Sequence, residues 1–384
     1  MRRLMVSQFR NYSSLNLEFG HDPIILTGPN GAGKTNLMEA VSLLAPGRGL
    51  RRASRDDFQS FAPHPSSDPS SGSSAGMLAS AGHALWAVSA SIDTPIGPVD
   101  VGTGRNAEKP DGARIMMVNG AKSTAASVAE LFAVSWLTPQ MDGLFIGSPS
   151  ARRRFIDRLV IAFDPAHSGR LSRYEKLYRE RQKLVQEQGA PSWLSVLETQ
   201  LAETGTAIMA ARAALCRAIS ETAYQGDKAF GFPRLHMAMS GGGCSWLDEM
   251  PALAVEEKIA ALAADNRRQG DLSMPGPQAQ DLNALYLDKN QPAHLGSTGE
   301  QKALMIAAIL AHARLQANRL DRPPLLLLDD VAAHLDEDRR YCLFAATSEL
   351  KGQVWYSGTD RDAFRGLAQI GQFFAIEDGM IQAA

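Results

Sequence analysis

Three short strings, far apart in the chain, constrain its fold more than any other feature: Gly28-Pro-Asn-Gly-Ala-Gly-Lys34-Thr35, Ser297-Thr-Gly-Glu-Gln301 and Leu325-Leu-Leu-Leu-Asp329-Asp330. The first fits the phosphate-loop pattern G-x-x-x-x-G-K-[ST] and has the flanks that pattern needs. Pro23-Ile-Ile-Leu-Thr27 before it reads as a buried strand, and Asn36-Leu-Met-Glu-Ala-Val-Ser-Leu-Leu44 after it reads as a helix. The loop residues Gly28, Pro29, Asn30, Gly31, Ala32 and Gly33 wrap phosphates with main-chain N–H groups, and the start of the helix adds a favourable dipole. Lys34 then reaches the terminal phosphates, the Thr35 hydroxyl offers a ligand to Mg²⁺, and Asn36 follows at the helix start. The third string is four leucines ending in two acids, as in a central parallel strand whose carboxylates emerge at its C-terminal edge. There Asp329 is expected to hold Mg²⁺ through water, and Asp330 to orient and deprotonate the attacking water.

The middle string, Ser-x-Gly-x-Gln before the helical run from Lys302 to Leu315, resembles the signature of ABC-type ATPases. Ser297 and the N–H groups around Gly299 make a second anion site at a helix N-terminus, with Gln301 closing the string. An ordinary capping box, Ser297 with Glu300, is the other reading of the same residues. In the superfamily the signature grips the ATP of the opposite subunit, so the resemblance implies an ATP-dependent homodimer. The superfamily pattern has Gly where Thr298 stands.

A chain of 384 residues with 45% hydrophobic content can bury a large core and is expected to carry more than one lobe. The start Met1-Arg-Arg-Leu-Met-Val-Ser-Gln-Phe-Arg10 has no apolar leader core, and no stretch reaches the roughly 20 apolar residues of a membrane span. A cytoplasmic protein with no membrane partner is expected. Three widely spaced cysteines without metal-ligand spacing read as reduced, partly buried residues. The net charge of −2 gives no whole-chain pull on nucleic acid, so DNA binding requires a local patch.

Along the chain, Leu4–Phe9 and Leu15–Phe19 read as short strands around the turn Arg10-Asn-Tyr-Ser13, and further strands are expected at Ala84–Ile92 and Arg114–Val118, the latter entering the hairpin turn Asn119-Gly120. The Pro, Ser, Gly and Ala tract over 62–82 reads as a mobile surface loop. From Pro149 the period turns helical and is expected to stay so, with Phe155, Ile156, Leu159 and Val160 on one face and helices at Leu171–Gln188, Trp193–Thr222 and Ala252–Arg268. The expected organisation is an α/β P-loop NTPase, an ABC-type ATPase head with an antiparallel β layer and an inserted helical lobe. Its divisions fall at 1–147, the phosphate-loop half of the head; 148–288, the helical lobe; and 289–384, the half with the signature and paired acids.

With Phe9-Arg-Asn-Tyr12, Thr138-Pro-Gln140 and Gly147-Ser-Pro-Ser-Ala-Arg-Arg-Arg-Phe-Ile-Asp157 added to these strings, and Asp329-Asp-Val-Ala-Ala-His-Leu-Asp336 after the acids, the whole chain resembles the RecF family of bacterial, SMC-like ATPases. The resemblance makes Gln140 the residue sensing Mg²⁺ and the γ-phosphate, Thr359 a second γ-phosphate sensor and Asp336 the aspartate that crosses the dimer interface. It makes Arg10 or Asn11 a nucleotide-side contact. It implies slow, DNA-stimulated ATP hydrolysis, binding to single- and double-stranded DNA, above all gapped DNA, and recombinase loading with RecR and RecO in replication, repair and the SOS response. Two other classes share the motifs. An SMC-like DNA-holding ATPase would need long heptad arms that this chain lacks, and the ATPase subunit of a transporter would keep a switch histidine that Gln353-Val-Trp-Tyr-Ser-Gly-Thr-Asp360 does not contain.

Arg152, Arg153 and Arg154 follow Ser148-Pro149, an N-cap and first helical residue, and so crowd cations into a first turn against the helix dipole. Two partners fit: phosphate of DNA or nucleotide, or an ion-pair network with Asp157 and acids of the head. Arg51, Arg52 and Arg55 form the next basic group.

Overall fold

The computed structural model describes residues 1–51, 53, 56–60, 84–106, 114–225, 231–321, 323–332 and 335–384; the tract read as a loop over 62–82, together with Arg52, Arg55 and His334, lies outside them. The chain forms two compact units, the first built on Met1–Met141 and Ala313–Ala384, the second drawn from within 142–312.

In the first unit a six-stranded sheet runs in the order Met380–Ala383, Gln372–Glu377, Ile24–Thr27, Val354–Gly358, Leu325–Leu328, Val134–Leu137. All its pairings are parallel except the edge hairpin Gln372–Glu377 with Met380–Ala383. The four strands from Ile24–Thr27 to Val134–Leu137 are buried at every position, as strands covered on both faces must be, which is why they read as unbroken apolar runs. Leu328 lies in register with Leu137 and Tyr356, and Gly358 with Thr27. Asp329, Thr138 and Gly28 therefore leave the sheet at one C-terminal edge, where ligands of such sheets bind.

The antiparallel layer has the order Tyr12–Glu18, Arg3–Phe9, Ala84–Thr94, Gly97–Asn106, Ile115–Val118, Ala121–Ser123. Asn119 and Gly120 both take positive φ, 48° and 80°, the conformation a tight two-residue hairpin demands. The strand Gly97–Asn106 was not expected, because three glycines disguise it. A Cβ at Gly104 would lie 2.7 Å from the Trp86 carbonyl oxygen, so glycine there lets the two strands pair past an irregularity at Ala84 and Trp86. Phe9, Phe58 and Trp86 pack ring on ring in the core of this unit.

The second unit carries helices Pro149–Ile161, Ala166–Gln186, Pro191–Gln225 and Ala252–Arg268. Phe155, Ile156, Leu159 and Val160 are buried together, as their spacing requires. The helical period does not persist through the lobe: Leu235–Gly241, Gln280–Tyr286 and Gln291–Pro292 form a three-stranded antiparallel sheet. Leu235 and Met237 are buried while His236 is exposed, the alternation of a strand covered on one face. Ser220 of helix Pro191–Gln225 secures that strand, its Oγ donating to the Met237 carbonyl and accepting from the Met237 N–H. The sequence division at 289 cuts this sheet, since Gln291–Pro292 pairs with Gln280–Tyr286; the signature segment therefore packs with the helical unit and not with the C-terminal half of the head. No helix among the described residues is long and apolar enough to cross a membrane.

Candidate nucleotide site

Gly28, Gly31 and Gly33 take φ of 149°, 87° and 117°, values that side chains resist. At two of them space is also the reason for glycine: a Cβ would lie 2.1 Å from the Ile376 carbonyl oxygen at Gly28, and 2.5 Å from Asn11 Nδ2 at Gly33. Asn11 Nδ2 donates to the Ala32 carbonyl at 3.2 Å and Tyr12 OH to the Gly33 carbonyl at 3.0 Å, so the turn after the first strand braces the loop from behind. Asn36 Nδ2 donates to Asn11 Oδ1 at 2.7 Å. Arg10 does not face the cavity: its guanidinium bonds the fully buried Glu39 at 2.9 and 3.2 Å. Arg51, on the other side of Glu39 at 3.6 Å, also donates to Asn36 Oδ1 at 2.6 Å.

The helix Lys34–Leu43 starts from left-handed Gly33 without a side-chain cap or an acidic first turn, which leaves its first N–H groups to an anion. Lys34 Nζ donates to the Gly28 and Pro29 carbonyls at 2.6 and 2.9 Å. Burial lowers the Lys34 pKa below its ordinary value, against the pull of Asp330 and Asp329. Thr35 Oγ1 donates to Asp329 Oδ1 at 3.1 Å and Ser357 Oγ donates to the same oxygen at 2.6 Å. Burial raises the Asp329 pKa although both hydroxyls favour the carboxylate. Asp330 has a φ of 56° and its N–H donates to Ser357 Oγ at 2.9 Å, while its Oδ1 is buried with no hydrogen-bond partner among the described residues.

These groups surround a cavity of about 230 Å³ lined by the loop residues Asn30, Gly31 and Gly33, by Lys34, Thr35, Asn36, Arg51 and Pro139, and by Asp329, Asp330 and Ser357. The donor set fits a magnesium nucleotide. Uncapped N–H groups and Lys34 suit phosphate, the Thr35 hydroxyl and Asp329 carboxylate are the hard oxygen ligands Mg²⁺ takes beside phosphate, and the unpaired Asp330 oxygen suits a water.

Gln140 is exposed in the short turn Pro139–Met141 that follows the edge strand; its neighbour Pro139 lines the cavity and Gln140 itself does not. Thr359 is not in this site. The strand ends at Gly358, and the exposed threonine beyond it lines a separate cleft with Arg340, Tyr341 and Asp360. The hydroxyl beside the acids belongs to Ser357, two residues earlier, where the strand is still buried in the sheet. Sequence reasoning missed it, although it is the one serine in Val-Trp-Tyr-Ser-Gly. Asp336 caps the helix Glu337–Ser348, its Oδ1 accepting from the Arg339 N–H at 2.8 Å.

The signature belongs to the second unit. Ser297 and Glu300 do form the reciprocal capping box, with Ser297 Oγ accepting from the Glu300 N–H at 3.4 Å and Glu300 Oε2 from the Ser297 N–H at 2.7 Å. Gln301 is buried and donates to the Gly296 carbonyl at 2.9 Å. Ser297, Thr298 and Gly299 are exposed, and a Cβ built on Gly299 meets nothing within 4 Å.

Of the arginine cluster, Arg152 bonds Asp281 at 2.7 Å through both Nε and NH2 and donates to the Phe145 and Gly147 carbonyls. Arg153 donates to the Gln280 carbonyl at 2.6 Å. Asp157 is taken by Arg212, at 2.8 Å to each oxygen, and by His167 at 2.9 Å. The carboxylate that Arg152 takes is therefore Asp281, on the sheet inside the same unit, and not Asp157.

The model of the RecF/RecN/SMC N-terminal domain matches residues 1–382. The DNA replication and repair protein RecF of Brucella suis biovar 1 (strain 1330) is 41% identical over 386 residues, covering 99% of this chain and 95% of that protein. The protein of the same name from Mesorhizobium japonicum (strain LMG 29417 / CECT 9101 / MAFF 303099) is 39% identical, with 99% and 96% covered. Among solved structures, the recombination mediator protein RecF-ATPrS in the RecFOR pathway matches with a TM-score of 0.81 at 20% identity, covering 100% of this chain and 97% of that one. The SmcHead bound to the C-winged helix domain of ScpA matches at 0.54 and 17% identity, with 100% and 96% covered.

Proposed function

The chain belongs to the RecF family, and from that premise we propose that it is an ATP-dependent DNA-binding protein of replication and repair whose two copies close on DNA around two ATP molecules. The observation that carries this reading is Asp329 held between the Thr35 and Ser357 hydroxyls, with the unpaired oxygen of Asp330 in the same cavity. Mg²⁺, when bound by Thr35 and Asp329, supplies charge neutralisation to the phosphates. The chain's own residues do the rest. The phosphate-loop N–H groups and Lys34 hold the β- and γ-phosphates in line, and Asp330 Oδ1 orients the attacking water and takes its proton.

Ser297 and Gly299 supply the second half of the site to the partner copy's nucleotide. Gly299 supports this: its own subunit gives no steric reason for a glycine there. Because each subunit completes the other's site, closure and hydrolysis are coupled to dimerisation, and hydrolysis opens the clamp. Hydrolysis is slow and DNA-stimulated, Gln140 senses Mg²⁺ and the γ-phosphate, Asp336 acts across the closed interface, the DNA is gapped duplex beside single strand, and RecR and RecO are the partners in recombinase loading. Sedimentation with intact and gapped duplex, with and without ATP, tests the reading. Dimers on DNA only with ATP are expected, and a monomer indifferent to both ligands would overturn it.

A further inference from the structure

Helix Ala166–Gln186 carries six cations against two carboxylates, Glu175 and Glu180, in a chain whose net charge is −2. The fold uses two of the six. Arg181 is buried against Glu198 at 3.1 Å and the Leu272 and Ala263 carbonyls, and Arg170 pairs with Asp164. The remaining four, Arg173, Lys176, Arg179 and Lys183, are exposed. They follow one another at intervals of three, three and four residues, the spacing that keeps side chains on one stripe of a helix. Tyr174, Leu177 and Arg181 are buried on the opposite side and fix that stripe towards solvent. Arg173 and Lys176 make no ion pair with any described residue; Arg179 Nε rests on the Glu175 carbonyl at 3.1 Å, and Lys183 reaches the exposed Glu187 only at 3.8 Å.

We propose that this ridge seats the phosphate backbone of duplex DNA. The inference rests on the DNA-binding reading above and says where on the helical unit it is carried out. At 1.5 Å per residue the four cations span about 15 Å, and duplex DNA places one phosphate per strand about every 3.4 Å along its axis, so the ridge is long enough to bring its cations to several backbone phosphates. Exposed Arg and Lys serve here as point charges, which hold a backbone without reading bases. Duplex is favoured over single strand because the ridge offers no stacking platform. Tyr174 is buried and Tyr178 lies half-buried, stacked on it at 6.1 Å. Arg152 and Arg153, the cations the sequence pointed to first, are occupied by Asp281 and the Gln280 carbonyl.

The test compares the parent with a variant carrying Arg173→Ala, Lys176→Ala, Arg179→Ala and Lys183→Ala, and with one carrying Arg173→Lys and Arg179→Lys. Duplex affinity is measured by fluorescence anisotropy over a range of salt, and ATP binding and thermal melting report the fold. Each lost phosphate contact removes about 0.9 from the slope of log affinity against log salt, so the fourfold alanine variant is expected to lose roughly three to four units of slope. Its ATP binding should match the parent's, and the lysine variant should keep the parent slope. If the fourfold variant melts early or loses ATP, Lys176→Ala with Lys183→Ala decides, with roughly half the loss of slope expected. An unchanged slope in a folded variant overturns the ridge while leaving the DNA-binding reading intact; a parent that binds no duplex overturns both. Loss of single-strand binding with duplex binding preserved would mean the ridge has the wrong occupant.

Discussion

Ser357 Oγ donates to Asp329 Oδ1 at 2.6 Å and accepts from the Asp330 N–H at 2.9 Å, so one hydroxyl on the neighbouring strand spans both acids of the site. It holds the Asp329 carboxylate and ties down the left-handed backbone of Asp330. Ser357→Ala removes the closest donor to Asp329, whose charge burial already disfavours. Groups that orient a ligand in this way typically govern metal affinity by 10–100-fold. The variant is expected to need about 10–100-fold more Mg²⁺ for half-maximal ATPase rate and to bind ATP normally without metal. A Mg²⁺ titration that overlays the parent's would refute the role.

Asp330→Asn should retain ATP and the closed dimer while hydrolysis falls by about 10²–10⁴, the usual loss for a general base. The variant should also stay on DNA longer than the parent. Lys34→Met is the contrasting control, since it removes the charge on the terminal phosphates and should abolish hydrolysis and ATP-driven dimerisation together. Equal dissociation rates for the parent and Asp330→Asn would separate hydrolysis from release.

Arg152→Ala should act on stability and not on DNA. It takes the guanidinium from the Phe145 and Gly147 carbonyls and from Asp281, which keeps only the Leu282 N–H as a hydrogen-bond donor among the described residues, a loss of about 1–3 kcal/mol for charged hydrogen bonds. Thermal or urea unfolding should show that loss while the salt slope of duplex binding stays at the parent value. A flattened slope with unchanged melting would return Arg152 to the DNA surface.

His312 is fully buried, its ring bonded to the Leu159 carbonyl at 3.0 Å and edge-on to Phe163, and burial holds its pKa down to about 4. The folded protein therefore keeps this ring neutral where the unfolded chain, with a pKa near 6.5, takes up a proton. The sign follows: stability is full above pH 6.5 and is lost as pH falls towards 4, by about 1.4 kcal/mol per pH unit at most. Unfolding curves between pH 7 and 4.5 should be shallower in pH for His312→Gln than for the parent. Parallel pH profiles would contradict the assignment.

The parallel strands were legible because burial on both faces forces unbroken runs such as Leu325–Leu328, and the phosphate loop because left-handed glycines recur at fixed intervals. The strand Gly97–Asn106 was hidden by glycines that serve strand approach, and Leu235–Gly241 by lying in a helical neighbourhood with only one face covered. In the site, the convergence of Lys34, Thr35, Asp329 and Asp330 on one cavity was legible in local spacing. That of Ser357 was not, since its value comes from a register between strands. The pairing of Arg152 with Asp281 joins residues 129 apart, beyond anything a local pattern encodes. The resemblance pointed to Thr359, and the end of the strand at Gly358 leaves that residue in a separate cleft.

Gly299 sits in the first turn of a helix with open space where its side chain would be. Alanine would stabilise an isolated subunit there, by a few tenths to about 1 kcal/mol from helix propensity alone. On the dimer reading proposed above, the bare backbone is a concession made by the monomer to the assembled state. On that reading, heat tolerance of the lone subunit and tightness of the closed pair pull in opposite directions at this residue, so selection for thermostability alone would tend to erode the proposed clamp.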